Sequence, residues 1–197
     1  MDNKKIQSFA IDIISEFNPR VASIKTTFDK ICSISDRIFL KKLMRLFSGQ
    51  MNDMESQVEL AIAFRRESPN YQTNMQRLLY AINSINSDDK IDILSNLMRS
   101  LSLNLIELKM FWRLVDIVDK MYYDDIVEFA KIVIDKEPLK KYSNPYLLRE
   151  YSLAICSNDF TWASVQGEKE YSITKTGIEL VRCGYDLDHY DSYKKIE

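Results

Sequence analysis

The sequence predicts a mainly α fold: a bundle of about seven helices over residues 1–138, a small α+β unit over 139–184 and a polar tail over 185–197. Three observations lead there. Only four Gly and four Pro occur in 197 residues, too few for a turn-rich β architecture. Apolar residues recur every three to four positions through most of the first 138 residues. After Pro138 the spacing changes to short runs on either side of Gln166-Gly167.

The elements follow in order. Ile6, Phe9, Ile13 and Phe17 form the stripe of a first helix, and Asn18-Pro19 starts a short second one. Asn or Ser before Pro offers a side-chain cap followed by a residue that needs no amide partner. Ser33 and Asp36 resemble a capping box for a helix from about Asp36 to Phe47, which Ser48-Gly49 ends. Residues 51–66 form a helix with Met54, Val58, Ala61 and Ile62 inward. Ser68-Pro69 starts the next, marked by Met75, Leu78, Leu79 and Ile82. Three closely connected helices then span about 88–102, 105–121 and 124–136, with Pro138 ending the last. Their inward residues include Ile91, Leu94, Leu97, Met98 and Leu101, then Leu108, Phe111, Val115 and Val118, then Ile126, Phe129 and Val133.

Beyond Pro138, Asn144-Pro145 opens a helix expected to run from Tyr146 to Ile155, with Tyr151 on its buried side. The runs 160-FTWASV-165 and 169-KEYSIT-174 fit two short strands. Thr174 caps a final helix containing Ile178, Leu180 and Val181, and Cys183-Gly184 ends it. Helix, two strands and a Thr-capped helix with an early Gly make a winged-helix-like outline. Gly177 there would let the helix approach the hairpin closely.

Composition excludes most enzyme chemistry. His189 is the only histidine and lies in the tail, which removes His-based triads and His-rich metal sites. The four glycines are isolated, so no phosphate-cradling loop is present. Serine and cysteine nucleophiles have no recognisable base partner. The paired carboxylates Asp88-Asp89 and Asp124-Asp125 fall at expected helix starts, where the free amides favour anions without any metal. The expectation is therefore no enzyme, no metal and no cofactor. Cys32, Cys156 and Cys183 are widely spaced and odd in number, which suits reduced thiols and a cytoplasmic location. No apolar run approaches the roughly 18 residues of a membrane span.

Two surfaces are binding candidates. Between Arg20 and Arg45, seven basic residues face only Asp29 and Asp36, and Arg37, Lys41 and Arg45 recur on one helix face. Such a ridge meets an acidic protein, a nucleic acid or a membrane surface, unless acidic neighbours such as 52-NDMES-56 compensate it. The second is an aromatic edge near Trp112 and Tyr123. Duplex DNA is the alternative partner, read by the C-terminal unit through Arg149, Lys169 and Lys175. Against it, the net charge is -2 and the hairpin tip is acidic at Glu168 and Glu170.

The segments 36-DRIFLKKLMRLF-47, 77-RLLYAINSINSDDKIDILSNLMRSL-101 and 106-IELKMFWRLVDIVDKMYYDDIVEF-129, with 171-YSITKTG-177, resemble a loose group of uncharacterised helical bacterial proteins. The resemblance covers about three quarters of the chain and rests on packing patterns. It implies a bacterial or prophage-borne cytoplasmic protein associated with mobile elements and phage conflict, and it supplies no catalytic residue. The combined expectation is a non-enzymatic interaction or regulatory protein in phage defence or counter-defence, with a protein partner and a homo-oligomer both compatible with its surfaces.

Overall fold

The computed structural model describes residues 38–39, 41–46, 70–156 and 171–185. The expected helices before residue 37, the helix at 51–66, the Ser68-Pro69 start, the strand at 160–165, the Gln166-Gly167 turn and the tail beyond Tyr185 lie outside them. Within the described residues the architecture is mainly helical, with one two-stranded sheet. No described helix is long and apolar enough to cross a membrane.

Residues 41–46 are helical and bury Leu43 and Leu46. Helix α1 spans Tyr71–Ser84, with Met75, Leu78 and Ile82 inward. Helix α2, Asp88–Ser102, starts where Ser87 Oγ accepts from the Asp89 amide at 3.2 Å, placing Asp88 and Asp89 in the first turn. Its expected stripe, Ile91, Leu94, Leu97, Met98 and Leu101, is buried throughout. Helix α3 spans Leu108–Lys120 and α4 spans Tyr123–Ile134. Asp124 and Asp125 occupy the first turn of α4, as the carboxylate pairing predicts.

Three of the described helices close through a left-handed residue that is not glycine. Asn104, Lys136 and Ser152 have φ of 56°, 53° and 58°, the left-handed conformation that closes a helix. At each, two backbone bonds satisfy the last carbonyls. After α4, for example, the Glu137 amide donates to Ile132 O at 2.9 Å and the Lys136 amide to Val133 O at 3.3 Å. Helix α4 therefore ends at Ile134, before Pro138 can act.

A 3-10 turn, Leu139–Lys141, leads to helix α5, Pro145–Glu150, which starts at Asn144-Pro145 as expected. It is shorter than the helix expected over Tyr146–Ile155. Ser152 turns the chain, and Ala154–Cys156 becomes strand β1, antiparallel to β2, Tyr171–Ile173. The register pairs Ala154 with Ile173, Ile155 with Ser172 and Cys156 with Tyr171. Tertiary pairing thus overrides an apolar spacing that also fits a helix.

Helix α6 spans Lys175–Gly184, and Thr174 Oγ1 accepts from the Gly177 amide at 3.1 Å. A Cβ on Gly177 would lie 2.5 Å from Leu153 O, so the expected close approach to the hairpin is present. Helix α6 packs along α2, where Asn96 Nδ2 donates to Gly184 O at 3.1 Å. Phe111, Phe129, Leu148, Leu153 and Leu180 belong to one hydrophobic cluster with the α2 stripe. Burial of such side chains contributes roughly 1.5–3 kcal/mol each.

Candidate functional site

The described part of the basic ridge, Lys41 and Arg45, is paired with acids of α2. Lys41 Nζ lies 2.8 Å from Asp88 Oδ2. Arg45 forks onto Asp92, with Nε 2.7 Å from Oδ1 and a terminal nitrogen 2.6 Å from Oδ2, and its other terminal nitrogen is 3.3 Å from Asp88. The hydrogen bond from Lys41 holds the Asp88 carboxyl below the usual range. The hydrogen bond to Asp92 pushes Arg45 above its ordinary value. The compensating acids come from α2, not from 52-NDMES-56, which lies outside the described residues. Arg37 lies outside them too.

Between Lys41 and Arg45, Lys42 turns inward. Its ammonium donates to Ile82 O at 3.3 Å and Asn83 O at 3.2 Å, capping the end of α1. Lys90 does the same for α3, donating to Asp119 O at 3.1 Å. Burial lowers the pKa of both lysines. These amines hold helix ends together and are unavailable as surface charge.

The aromatic edge separates into different environments. Tyr122 is exposed, Tyr123 is half-buried and Met121 is buried. Burial raises the Tyr123 pKa, with Asp89 and Asp92 adding to the shift. Trp112 is only 7% exposed, and the Arg77 guanidinium lies 4.5 Å above its ring. On the C-terminal unit, Arg149 and Lys175 are exposed, on α5 and at the first position of α6. Lys169 lies outside the described residues. Among the described residues, no group of three His, Cys, Asp or Glu side chains could hold a metal ion.

What the structure does assemble is an open groove of about 490 Å³ along α3. Its volume falls within the roughly 300–1,000 Å³ of ligand sites. Lys109, Trp112, Arg113, Asp116, Ile117 and Lys120 enter it from α3. Arg77 of α1 forms one wall, and Glu150 and Tyr151 at the end of α5 form the other. Arg77 is occupied, 3.0 Å from Asp116 while it covers Trp112. Arg113 makes a long contact of 3.4 Å with Thr176 Oγ1 at the start of α6. Tyr151 Oη donates to Lys120 O at 3.5 Å, joining the α5 wall to the end of α3. Lys109 and Lys120 are exposed, and no ion pair to a described residue engages them.

The groove therefore carries four cations against two carboxylates on a floor of Trp112 and Ile117. It suits binding of an anionic chain and offers no nucleophile paired with a base. Sequence reasoning found Trp112 but missed Arg77, Lys109, Lys120 and Glu150. Part of the signal is visible: Lys109, Arg113, Asp116 and Lys120 follow steps of four, three and four along one helix face. Arg77 and Glu150 join them only in the folded chain. The chain matches no protein-family model, no curated protein and no solved structure.

Proposed function

We propose that this is a non-enzymatic interaction protein that binds a protein partner through a helical surface, and that the binding face is the α3 groove. One observation carries the reading: Lys109, Arg113 and Lys120 line a concave site while Lys41 and Arg45 are spent on Asp88 and Asp92. A concave site with a surplus of basic charge steers an acidic partner, whereas an internal ion-pair cluster does not. Affinity capture from the native cell, followed by mass spectrometry, tests it. Lys109→Glu with Arg113→Glu should abolish capture of a specific partner, and Lys41→Gln should leave it intact. Capture indifferent to the groove substitutions refutes the assignment. A cytoplasmic location and a role in phage defence or counter-defence form part of the proposal. The role rests on the resemblance of segments 36–47, 77–101, 106–129 and 171–177 alone.

The second reading is a DNA-binding regulator built on a winged-helix-like unit. The order α5, β1, β2, α6, with Gly177 set against Leu153, supports that outline, and Arg149 and Lys175 are exposed on it. A gel shift on duplex DNA should then show a steep salt dependence that Lys169→Glu with Lys175→Glu removes. Absence of a shift at low salt eliminates this reading.

A further inference from the structure

We infer that the occupant of the α3 groove is an extended acidic peptide segment of the partner protein. The inference rests on the groove being the binding face and adds the chemistry of what lies in it.

The first argument is spacing. Residues on a helix rise about 1.5 Å each, so Lys109 and Arg113 stand about 6 Å apart along the axis, and Lys120 about 10 Å further. An extended chain advances about 3.3 Å per residue. Two acidic side chains at positions i and i+2, on the same side of an extended segment, therefore match Lys109 and Arg113. Lys120 falls between the same-side acids at i+4 and i+6, about 3 Å along the axis from each.

The second argument is the mixed charge of the walls. Asp116 and Glu150 line the same groove as the cations. A phosphodiester backbone has acceptors only, so both carboxylates repel it and neither gains a hydrogen bond. A peptide main chain brings N–H donors that those carboxylates accept, while its own acidic side chains answer the cations. The third argument is the floor. Trp112 and Ile117 provide apolar surface for the methylene groups of Glu side chains.

The probe is a fluorescein-labelled peptide of alternating Glu and Gly, read by anisotropy, with a Gln–Gly peptide and a ten-nucleotide oligothymidylate in parallel. The Glu–Gly peptide should bind at low salt and the Gln–Gly peptide should not. Lys109→Glu with Arg113→Glu should weaken binding by about tenfold, as should a move from low to physiological salt. Thermal melts establish that the variant is folded. In a Trp162→Phe background, the peptide should change the emission of Trp112. The inference is overturned if the Glu–Gly peptide fails to bind or binds the variant equally well. It is equally overturned if the oligothymidylate binds as tightly with the same residue dependence. Groove-dependent partner capture without Glu–Gly binding removes this inference and leaves the proposed function standing. Loss of both dependences removes the two together.

Discussion

Gly177 sits in the first turn of α6, where three atoms close on the position of a side chain. A Cβ there would meet Leu153 O at 2.5 Å, Ile173 Cγ2 at 3.0 Å and Phe129 Cζ at 3.0 Å. The nearest atom is a backbone carbonyl that already accepts from the Thr174 amide at 2.9 Å, so it cannot swing aside. Gly177→Ala must push α6 away from β1 or bend the start of the strand. Overpacking of this kind costs about 1–3 kcal/mol, and a fixed backbone contact points to the upper end. The better helix propensity of alanine returns about 0.8–1 kcal/mol. The net expectation is a loss of about 2 kcal/mol. With a urea slope of about 2 kcal/mol/M, the unfolding midpoint should fall by about 1 M. Gly184→Ala is the comparison. Its Cβ would meet the Ile93 Cγ2 methyl at 2.9 Å, held on a buried β-branched side chain but touching no backbone atom, so the midpoint should fall by less than for Gly177→Ala. Equal midpoints for Gly177→Ala and wild type would refute the close approach.

Three further outcomes are expected. Arg45→Gln should lose the fork onto Asp92, costing about 0.5–1 kcal/mol at low salt and less at high salt, because the pair is partly exposed; urea titrations at two ionic strengths measure it. Lys136→Gly should stabilise by up to about 1 kcal/mol, since the left-handed penalty of roughly 1–2 kcal/mol exceeds the added freedom of glycine in the unfolded chain; a lower melting temperature would contradict the stop described for α4. Burial pushes the Cys183 thiol from 9.0 up to about 12. Its folded pKa is raised, so the associated stability is complete below pH 9 and is lost as pH climbs toward 12. Cys183→Ala should flatten that alkaline decline in denaturation midpoints, and an unchanged slope would exclude the thiol as its cause.

The parts legible in the sequence are those governed by local chemistry. Thr174 and Asn144-Pro145 signal their helix starts locally, Thr174 through its bond from the Gly177 amide and Pro145 through its fixed φ at the first helical position. The α2 stripe from Ile91 to Leu101 is buried because a single helix face is enough to specify it. The stops are less legible: the short Asn104 side chain suits the left-handed conformation, but Lys136 and Ser152 adopt it without such a signal. The run from Tyr146 to Ile155 fits a helix until Tyr171–Ile173 supplies a strand to pair with. Lys41 and Arg45 look like a free ridge in one dimension. Their partners, Asp88 and Asp92, stand 47 positions away. The groove shows the same limit: its α3 face is periodic, but Arg77 and Glu150 reach it from other helices.

The seam between α2 and α6 also bears on how the protein is made. Asn96 waits for Gly184 O, a partner 88 residues downstream, while Ser95 Oγ donates to Leu46 O, 49 residues upstream. A ribosome can deliver the Ser95 contact with Leu46 early, but the Asn96 contact requires synthesis to pass Gly184. Until then, nascent α2 presents the flank that α6 will cover as an open apolar strip, which is when chaperones have most to hold and aggregation most to gain.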